Sequence, residues 1–196
     1  MGWPALREAV AACRACSLCE GRTQTVFGVG HTQAHWMVVG EGPGENEDLQ
    51  GEPFVGASGQ LLDRMLAALQ LTRRDDGPEP PAKRVYIANA VKCRPPRNRN
   101  PTAEELALCE PFLLRQVALL QPRIILAMGR FAVQSLLRSN EPIGRLRGRV
   151  HQFQGVLLIV TYHPAYLLRS LGEKARAWDD LCLAADVAEG RYHGRT

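Results

Sequence analysis

Cys13-x2-Cys16 near the N-terminus, with Cys93 and Cys109 far downstream, is the arrangement in this chain that most directly implies chemistry. Thiolates placed this way make a metal site, and tetrahedral sulfur sites hold either zinc or an iron-sulfur cluster. Spacing alone does not choose between the two, and Cys16-x2-Cys19 is a second plausible ligand pair. Composition argues against disulfides: 6 cysteines in 196 residues, with no apolar signal segment over residues 1–7, is unlike a secreted disulfide scaffold. The thiols are therefore expected to be reduced.

Two further segments carry reactive or ligand-binding residue types. Gly40-Glu41-Gly42-Pro43-Gly44 places three glycines where a backbone must bend tightly and can let a ligand approach its amides. It lacks the Lys-Ser/Thr of a P-loop, a lone glycine-rich turn is weak evidence for nucleotide binding, and the segment could be just a strand-to-loop turn. His163 precedes Pro164 in a stiffened segment, and a single histidine is more often a core or surface residue than a catalyst.

These segments need elements to position them. Four short runs rich in branched apolar residues, 35–40, 85–89, 124–128 and 157–161, read as buried parallel strands. Helical spacing of Leu61, Leu62, Met65, Leu66 and Leu69 lies between the first two, and Thr102 with Glu105 makes a capping box for a helix stopped at Gln121-Pro122. A third helix is expected over 131–137 and a fourth over 173–187, its apolar face centred on Trp178, Leu181 and Ala185, with Cys182 packing in the core; residues 75–83 read as a surface loop. Alternating strands and helices imply a three-layer α/β/α sandwich around a four-stranded parallel sheet. Ligands of such sheets bind beyond the carboxyl ends of the strands, where the glycine-rich turn, Asn89 and His163 all fall.

A chain of this length with 45% hydrophobic content can bury one core, and no low-complexity linker divides it, so residues 1–196 are expected to form one domain with an N-terminal cysteine-bearing segment. No apolar run is long enough to cross a bilayer, which predicts a soluble, cytoplasmic protein with no membrane partner. The net charge of +4 is unevenly spread. Glu41, Glu45, Glu47, Asp48 and Glu52 form an acidic run, whereas Lys83, Arg84, Lys92, Arg94, Arg97 and Arg99 crowd an acid-free stretch, and Arg145, Arg147 and Arg149 cluster later. Each cluster could be a solvated face; a polyanion partner would explain both basic ones.

Taken together, Gly40-Glu41-Gly42-Pro43-Gly44-Glu45-Asn46-Glu47-Asp48, Gly51-Glu52-Pro53-Phe54-Val55-Gly56, Asn89-Ala90-Val91-Lys92-Cys93-Arg94-Pro95-Pro96 and His163-Pro164-Ala165-Tyr166-Leu167-Leu168-Arg169 closely resemble the family 4 uracil-DNA glycosylases. The resemblance runs from about Cys13 to Asp186. It implies a 4Fe-4S cluster rather than zinc, held by Cys13, Cys16, Cys93 and Cys109, with Cys19 a spare thiol. It also implies a DNA-repair enzyme, expected to act as a monomer on uracil-containing DNA.

Such an enzyme must extrude a nucleotide and read its base in a pocket. The resemblance puts Phe54 under the uracil, although Phe54 could be ordinary core. Asn89 carries a donor and an acceptor on one amide, which match N3–H and O4 of uracil and mismatch the cytosine edge. The expected catalytic donor to uracil O2 is a neutral His163. Gly40, Glu41 and Gly42 would line the base pocket. Gly42 stands where other uracil-DNA glycosylases carry a water-activating aspartate, so Glu41 and Glu47 are the nearest candidate carboxylates, Glu47 to orient water or to block a 5-methyl group. Leu167 is the expected wedge that fills the gap left by the flipped base, Arg169 a phosphate contact, and Lys92, Arg94, Arg97 and Arg99 the sequence-independent contacts.

Two other readings stand beside the enzyme. One is a uracil-DNA-binding relative that does not turn over; those carry a Gln in the glycine-rich turn and a basic loop ending in His, whereas this chain has Glu41 and a 94–100 loop without His. The other is a zinc-stapled nucleic-acid adaptor.

Overall fold

Strands β2 (Trp36–Gly40), β3 (Val85–Asn89), β4 (Ile124–Met128) and β6 (Val156–Thr161) form the parallel centre of the sheet in the computed structural model, which describes residues 1–194. The sheet itself is mixed and six-stranded, in the order β1-β3-β2-β4-β6-β5. The expected four-stranded sheet is thus corrected by two short edge strands, β1 (Val29–Gly30) and β5 (Val150–Phe153), both antiparallel to their neighbours. β5 joins β6 through Gln154 and Gly155, both at positive φ, in a two-residue hairpin.

The helices, in chain order, are α1 (Trp3–Ala11), α2 (Leu18–Gly21), α3 (Glu45–Gln50), α4 (Ala57–Ala68), α5 (Ala103–Leu120), α6 (Arg130–Leu137), α7 (Ile143–Leu146), α8 (Pro164–Arg169) and α9 (Lys174–Ala188). The central strands are apolar throughout because alternate residues enter two different cores. Met37, Val39, Ile125 and Ala127 pack on one face with Leu113 and Val117 of α5 and Val133 of α6. Trp36, Val38, Ile124 and Leu126 pack on the other with Leu62 and Leu66 of α4 and Leu181 and Ala184 of α9. This is the three-layer α/β/α arrangement. Among the described residues no helix is long and apolar enough to cross a membrane.

Capping sets where the elements begin. The Thr102 hydroxyl accepts from the Glu105 N–H (3.2 Å), and a Glu105 carboxylate oxygen accepts from the Thr102 N–H (2.9 Å), so the capping box opens α5. Losing this hydroxyl in Thr102→Ala would cost about 1 kcal/mol. On α9 the buried face is Ala177, Leu181, Ala184 and Val187. Trp178 is 42% exposed and Cys182 is exposed, correcting their placement in the core: both lie one residue after a buried position, rotated out of the stripe.

Chain order and sheet order differ at β2, whose neighbours β3 and β4 leave it on opposite sides. This switch point opens a crevice beyond the strand ends, and the candidate site occupies it.

Candidate active site

Four strand ends deliver the site. Gly40 ends β2, Asn89 ends β3, Gly129 follows β4, and Tyr162-His163 follow β6. A cavity of about 360 Å³ lies among Glu41, Gly42, Glu47, Phe54, Asn89, His163 and Arg169, with Pro95, Asn98, Arg99 and Phe131 also in its wall. Its volume is that of a small-molecule pocket.

Two glycines make this convergence possible. A Cβ on Gly40 would stand 2.5 Å from Asn89 Oδ1 and 2.6 Å from Phe54 Cζ, and one on Gly129 would meet the Glu41 carboxyl at 2.9 Å and His163 Cβ at 3.1 Å. Gly129 also holds φ +93°, so it satisfies both space and conformation. It is a site residue that the sequence does not single out; its one signal is a glycine directly after a buried strand.

Asn89 is 2% exposed, and its Oδ1 is buried with no hydrogen-bond partner among the described residues. An orphan buried acceptor costs about 1–3 kcal/mol, which a ligand donor would recover. Phe54 lies alongside, its ring 5.3 Å from that of His163, centroid to centroid, with planes 25° apart. A planar base laid on Phe54 would therefore lie nearly in the plane of the imidazole and meet it edge to edge. Phe54 itself holds φ +55°, a left-handed conformation costing about 1–2 kcal/mol in a residue with a side chain.

The His163 tautomer, unreadable in the sequence, follows from one hydrogen bond. As N-cap of α8, its Nδ1 accepts from the Ala165 N–H at 3.0 Å, so the neutral ring carries its proton on Nε2. Burial, with a smaller contribution from the Arg169 charge, pushes its pKa down to about 4. The ring is neutral near pH 7 and offers one N–H.

The carboxylates differ. Glu41 Oε2 accepts from the Phe131 N–H (3.0 Å), and burial raises its pKa above the usual carboxylate range. Glu47 has both oxygens engaged: Oε2 accepts from Gly44 N–H (3.2 Å), and Oε1 from Val55 N–H (3.2 Å) and Gly56 N–H (3.3 Å). It straps the glycine-rich turn to the Phe54 loop, which leaves little of it for orienting a water. Gly42 has Val91 Cγ2 within 2.8 Å of where a Cβ would be, so a side chain there would have to displace Val91.

On the face around the cavity the expected wedge is corrected. Leu167 is fully buried, because the turn of α8 points it inward with Pro164 and against α4, whereas Leu168 is 42% exposed at the rim with Arg169. The basic run also divides. Arg94 and Arg97 reach the surface loop, Arg94 donating to Asn98 Oδ1 (2.7 Å), while Arg99 pairs with Glu105 (2.6 Å). Arg84 turns inward onto the carbonyls of Asp75, Gly77 and Glu79. Lys92 cannot be the surface phosphate contact expected of it: it is 1% exposed, with Nζ donating to Asn89 O (2.9 Å) and Gln116 Oε1 (2.6 Å).

The cysteines share a second, apolar cavity of about 20 Å³, walled by Cys13, Cys16, Cys19, Cys93 and Cys109 with Leu18, Leu108 and Phe112. Two of its sulfurs are already hydrogen-bonded, Lys92 N–H donating to Cys109 Sγ (3.3 Å) and Arg22 Nη1 to Cys93 Sγ (3.2 Å). Burial pushes the Cys109 thiol up to about 11 and raises that of Cys93, so these groups need a cation to be held as thiolates. Among the described residues no three His, Cys, Asp or Glu side chains are close enough to hold a single metal ion. Five cysteine sulfurs in an otherwise apolar wall, with N–H donors and a buried ammonium beside them, suit a negatively charged iron-sulfur cluster.

The uracil-DNA glycosylase superfamily is the class that this fold and site define, and the model of that superfamily matches residues 27–182. The chain is 42% identical to the type-4 uracil-DNA glycosylase of Archaeoglobus fulgidus over 167 residues, 81% of this chain and 79% of the relative. It is 42% identical to that of Thermotoga maritima, over 86% of this chain and 84% of the relative, and 39% to that of Pyrobaculum aerophilum, over 91% and 90%. The chain belongs to the type-4 uracil-DNA glycosylases.

Proposed function

We propose that this chain flips uracil out of DNA and hydrolyses its N-glycosidic bond, leaving an abasic site. The observation that carries the reading is Asn89 Oδ1, without a hydrogen-bond partner among the described residues and beside the Phe54 ring, facing the same cavity as a histidine protonated on Nε2. A uracil stacked on Phe54 gives its N3–H to Asn89 Oδ1 and takes the Asn89 amide N–H at O4. Cytosine presents N3 as an acceptor and a 4-amino donor, so it leaves both amide groups mismatched.

As the C1′–N1 bond breaks, its electron pair leaves with the base, and negative charge builds on uracil O2. His163 Nε2–H donates to that oxygen, and a neutral donor that needs no proton rearrangement suits a charge that grows only in the transition state. Water supplies the new bond at C1′; its oxygen stays on the sugar, and its proton balances the departing uracil anion. Glu41, pinned by Phe131, shapes the pocket floor, and Glu47 straps the loops. Arg169, the partly exposed Arg94 and the exposed Arg97 lie where backbone phosphates would pass, and Leu168 takes the wedge position withdrawn from Leu167.

Cys13, Cys16, Cys93 and Cys109 would hold a 4Fe-4S cluster, which when bound supplies a covalent staple between the N-terminal segment, β3 and α5. The chain acts on this reading as one domain and a monomer in the cytoplasm. Release of free uracil from a uracil-containing oligonucleotide, with no release from the cytosine counterpart, tests the activity directly.

A further inference from the structure

We propose that Arg73 is a positioning residue for base recognition: its guanidinium clamps the left-handed turn at Phe54 and so fixes the ring on which the uracil lies. The inference rests on the pocket reading above and extends it to a residue outside the cavity wall. Arg73 Nη1 donates to Pro53 O at 2.6 Å and Nη2 to Phe54 O at 2.9 Å, with its side chain only 10% exposed. The two carbonyls belong to the peptide planes on either side of Phe54 Cα. Gripping both fixes the two rotations that set the direction of the ring, and the planar fork of arginine suits that task where a lysine ammonium does not.

Each end of the clamp is anchored. Nε donates to Asp63 Oδ1 on α4 at 2.8 Å, which orients the fork. On the other side Thr72 pairs with the residues leading into β3, donating to Lys83 O (3.0 Å) and accepting from Val85 N–H (2.9 Å), so Arg73 leaves a backbone tied to the sheet. Gly59 completes the device, since any Cβ there would be driven into the Phe54 carbonyl that Arg73 holds. A non-glycine residue at positive φ persists only where its surroundings determine it fully, and Arg73, Gly59 and the Glu47 strap on Val55 and Gly56 do so here.

The test is a double-mutant cycle of Arg73→Lys and Phe54→Ala, read by single-turnover uracil release, by inhibition with free uracil, and by thermal midpoint. Arg73→Lys should lower uracil release by about 10- to 100-fold, the size of a placement error near 1 Å. Free uracil should inhibit it more weakly than the parent, and its thermal midpoint should stay within about a few degrees. In the Phe54→Ala background the same substitution should change the rate by less than about threefold, because the ring it positions is gone. A penalty that simply adds to that of Phe54→Ala, or a parental rate in Arg73→Lys, would overturn the clamp while leaving the pocket reading intact. A parental rate in Phe54→Ala would remove the pocket reading and the clamp with it. Should Arg73→Lys fail to fold, Arg73→Gln, which keeps one donor at a carbonyl, replaces it in the cycle, with the same rates expected and the same rates overturning the clamp.

Discussion

The imidazole of His163 and the ring of Phe54 lie in planes 25° apart with centroids 5.3 Å from each other. On the proposed reading the near-parallel offset divides the labour of the pocket: one ring would lie beneath the base and the other would meet its edge. Because His163 Nδ1 is committed to the Ala165 N–H, the only proton the neutral ring can offer is on Nε2. Removing that donor should act on the transition state rather than on ground-state binding. His163→Ala is expected to lower single-turnover cleavage by about 10²- to 10³-fold, while affinity for uracil-DNA changes much less. Near-parental cleavage with the fold and cluster intact would place the donor elsewhere.

Burial of the same imidazole, with a smaller contribution from the Arg169 charge, sets a pH dependence. The folded pKa of His163, about 4, lies below the ordinary 6.5, so between these values the unfolded chain binds the proton and the folded one does not. Its contribution to stability is therefore complete above about pH 6.5 and is lost as pH falls towards 4. The thermal midpoint of the parent should drop more steeply than that of His163→Gln between pH 7 and 5, the difference between the two cancelling other groups. Parallel curves would mean that the imidazole is not held neutral by the fold.

Asn89 is expected to trade stability for recognition. Its Oδ1 is buried without a partner among the described residues, while the Asn89 carbonyl that holds Lys92 belongs to the backbone and survives substitution. Asn89→Ala should thus lose discrimination between uracil and cytosine and most of its cleavage rate, yet be less stable than the parent by no more than about 1 kcal/mol. A strongly destabilised Asn89→Ala would show that the amide is a structural bond rather than a reading head.

How far the sequence spoke depended on whether a signal was local. The parallel strands, the α5 capping box at Thr102 and the gathering of Gly40, Asn89 and His163 at the strand ends follow from apolar runs and strand order. The edge strands did not, since Val29–Gly30 is two residues long and Val150–Phe153 alternates too weakly. Leu167 and Lys92 carry the right residue types for a wedge and a phosphate contact, but their direction depends on the turn of α8 and on Gln116 across the core. Arg73 and Gly129 act through contacts 19 or more positions away in sequence, such as Arg73 with Pro53 and Phe54, and no periodicity announces them.

The division of the basic run predicts which charges DNA feels. Arg97 is exposed and Arg94 partly so, whereas Lys92 is buried. Reversing Arg94 and Arg97 to Glu should weaken binding to all sequences alike and make the log-log salt slope shallower by about one unit for each contact removed. Lys92→Met should leave that slope unchanged. A slope that responds to Lys92→Met and not to the arginines would move the phosphate track to another face.

Five cysteines wall one cavity, and the assignment of four of them as ligands can be separated from the fifth by iron content. Cys93 and Cys109 receive N–H donors from Arg22 and Lys92, the bonding that thiolate ligands of a cluster accept, and they come from β3's exit and from α5. Cys93→Ala and Cys109→Ala should lose the brown chromophore and much of the soluble protein, because the staple and the cavity fail together. Cys19→Ala should keep iron near the roughly four per chain that a 4Fe-4S cluster implies, with parental uracil release. Iron lost from Cys19→Ala but retained in Cys16→Ala would exchange their roles, and zinc in place of iron in anaerobically purified protein would overturn the cluster altogether.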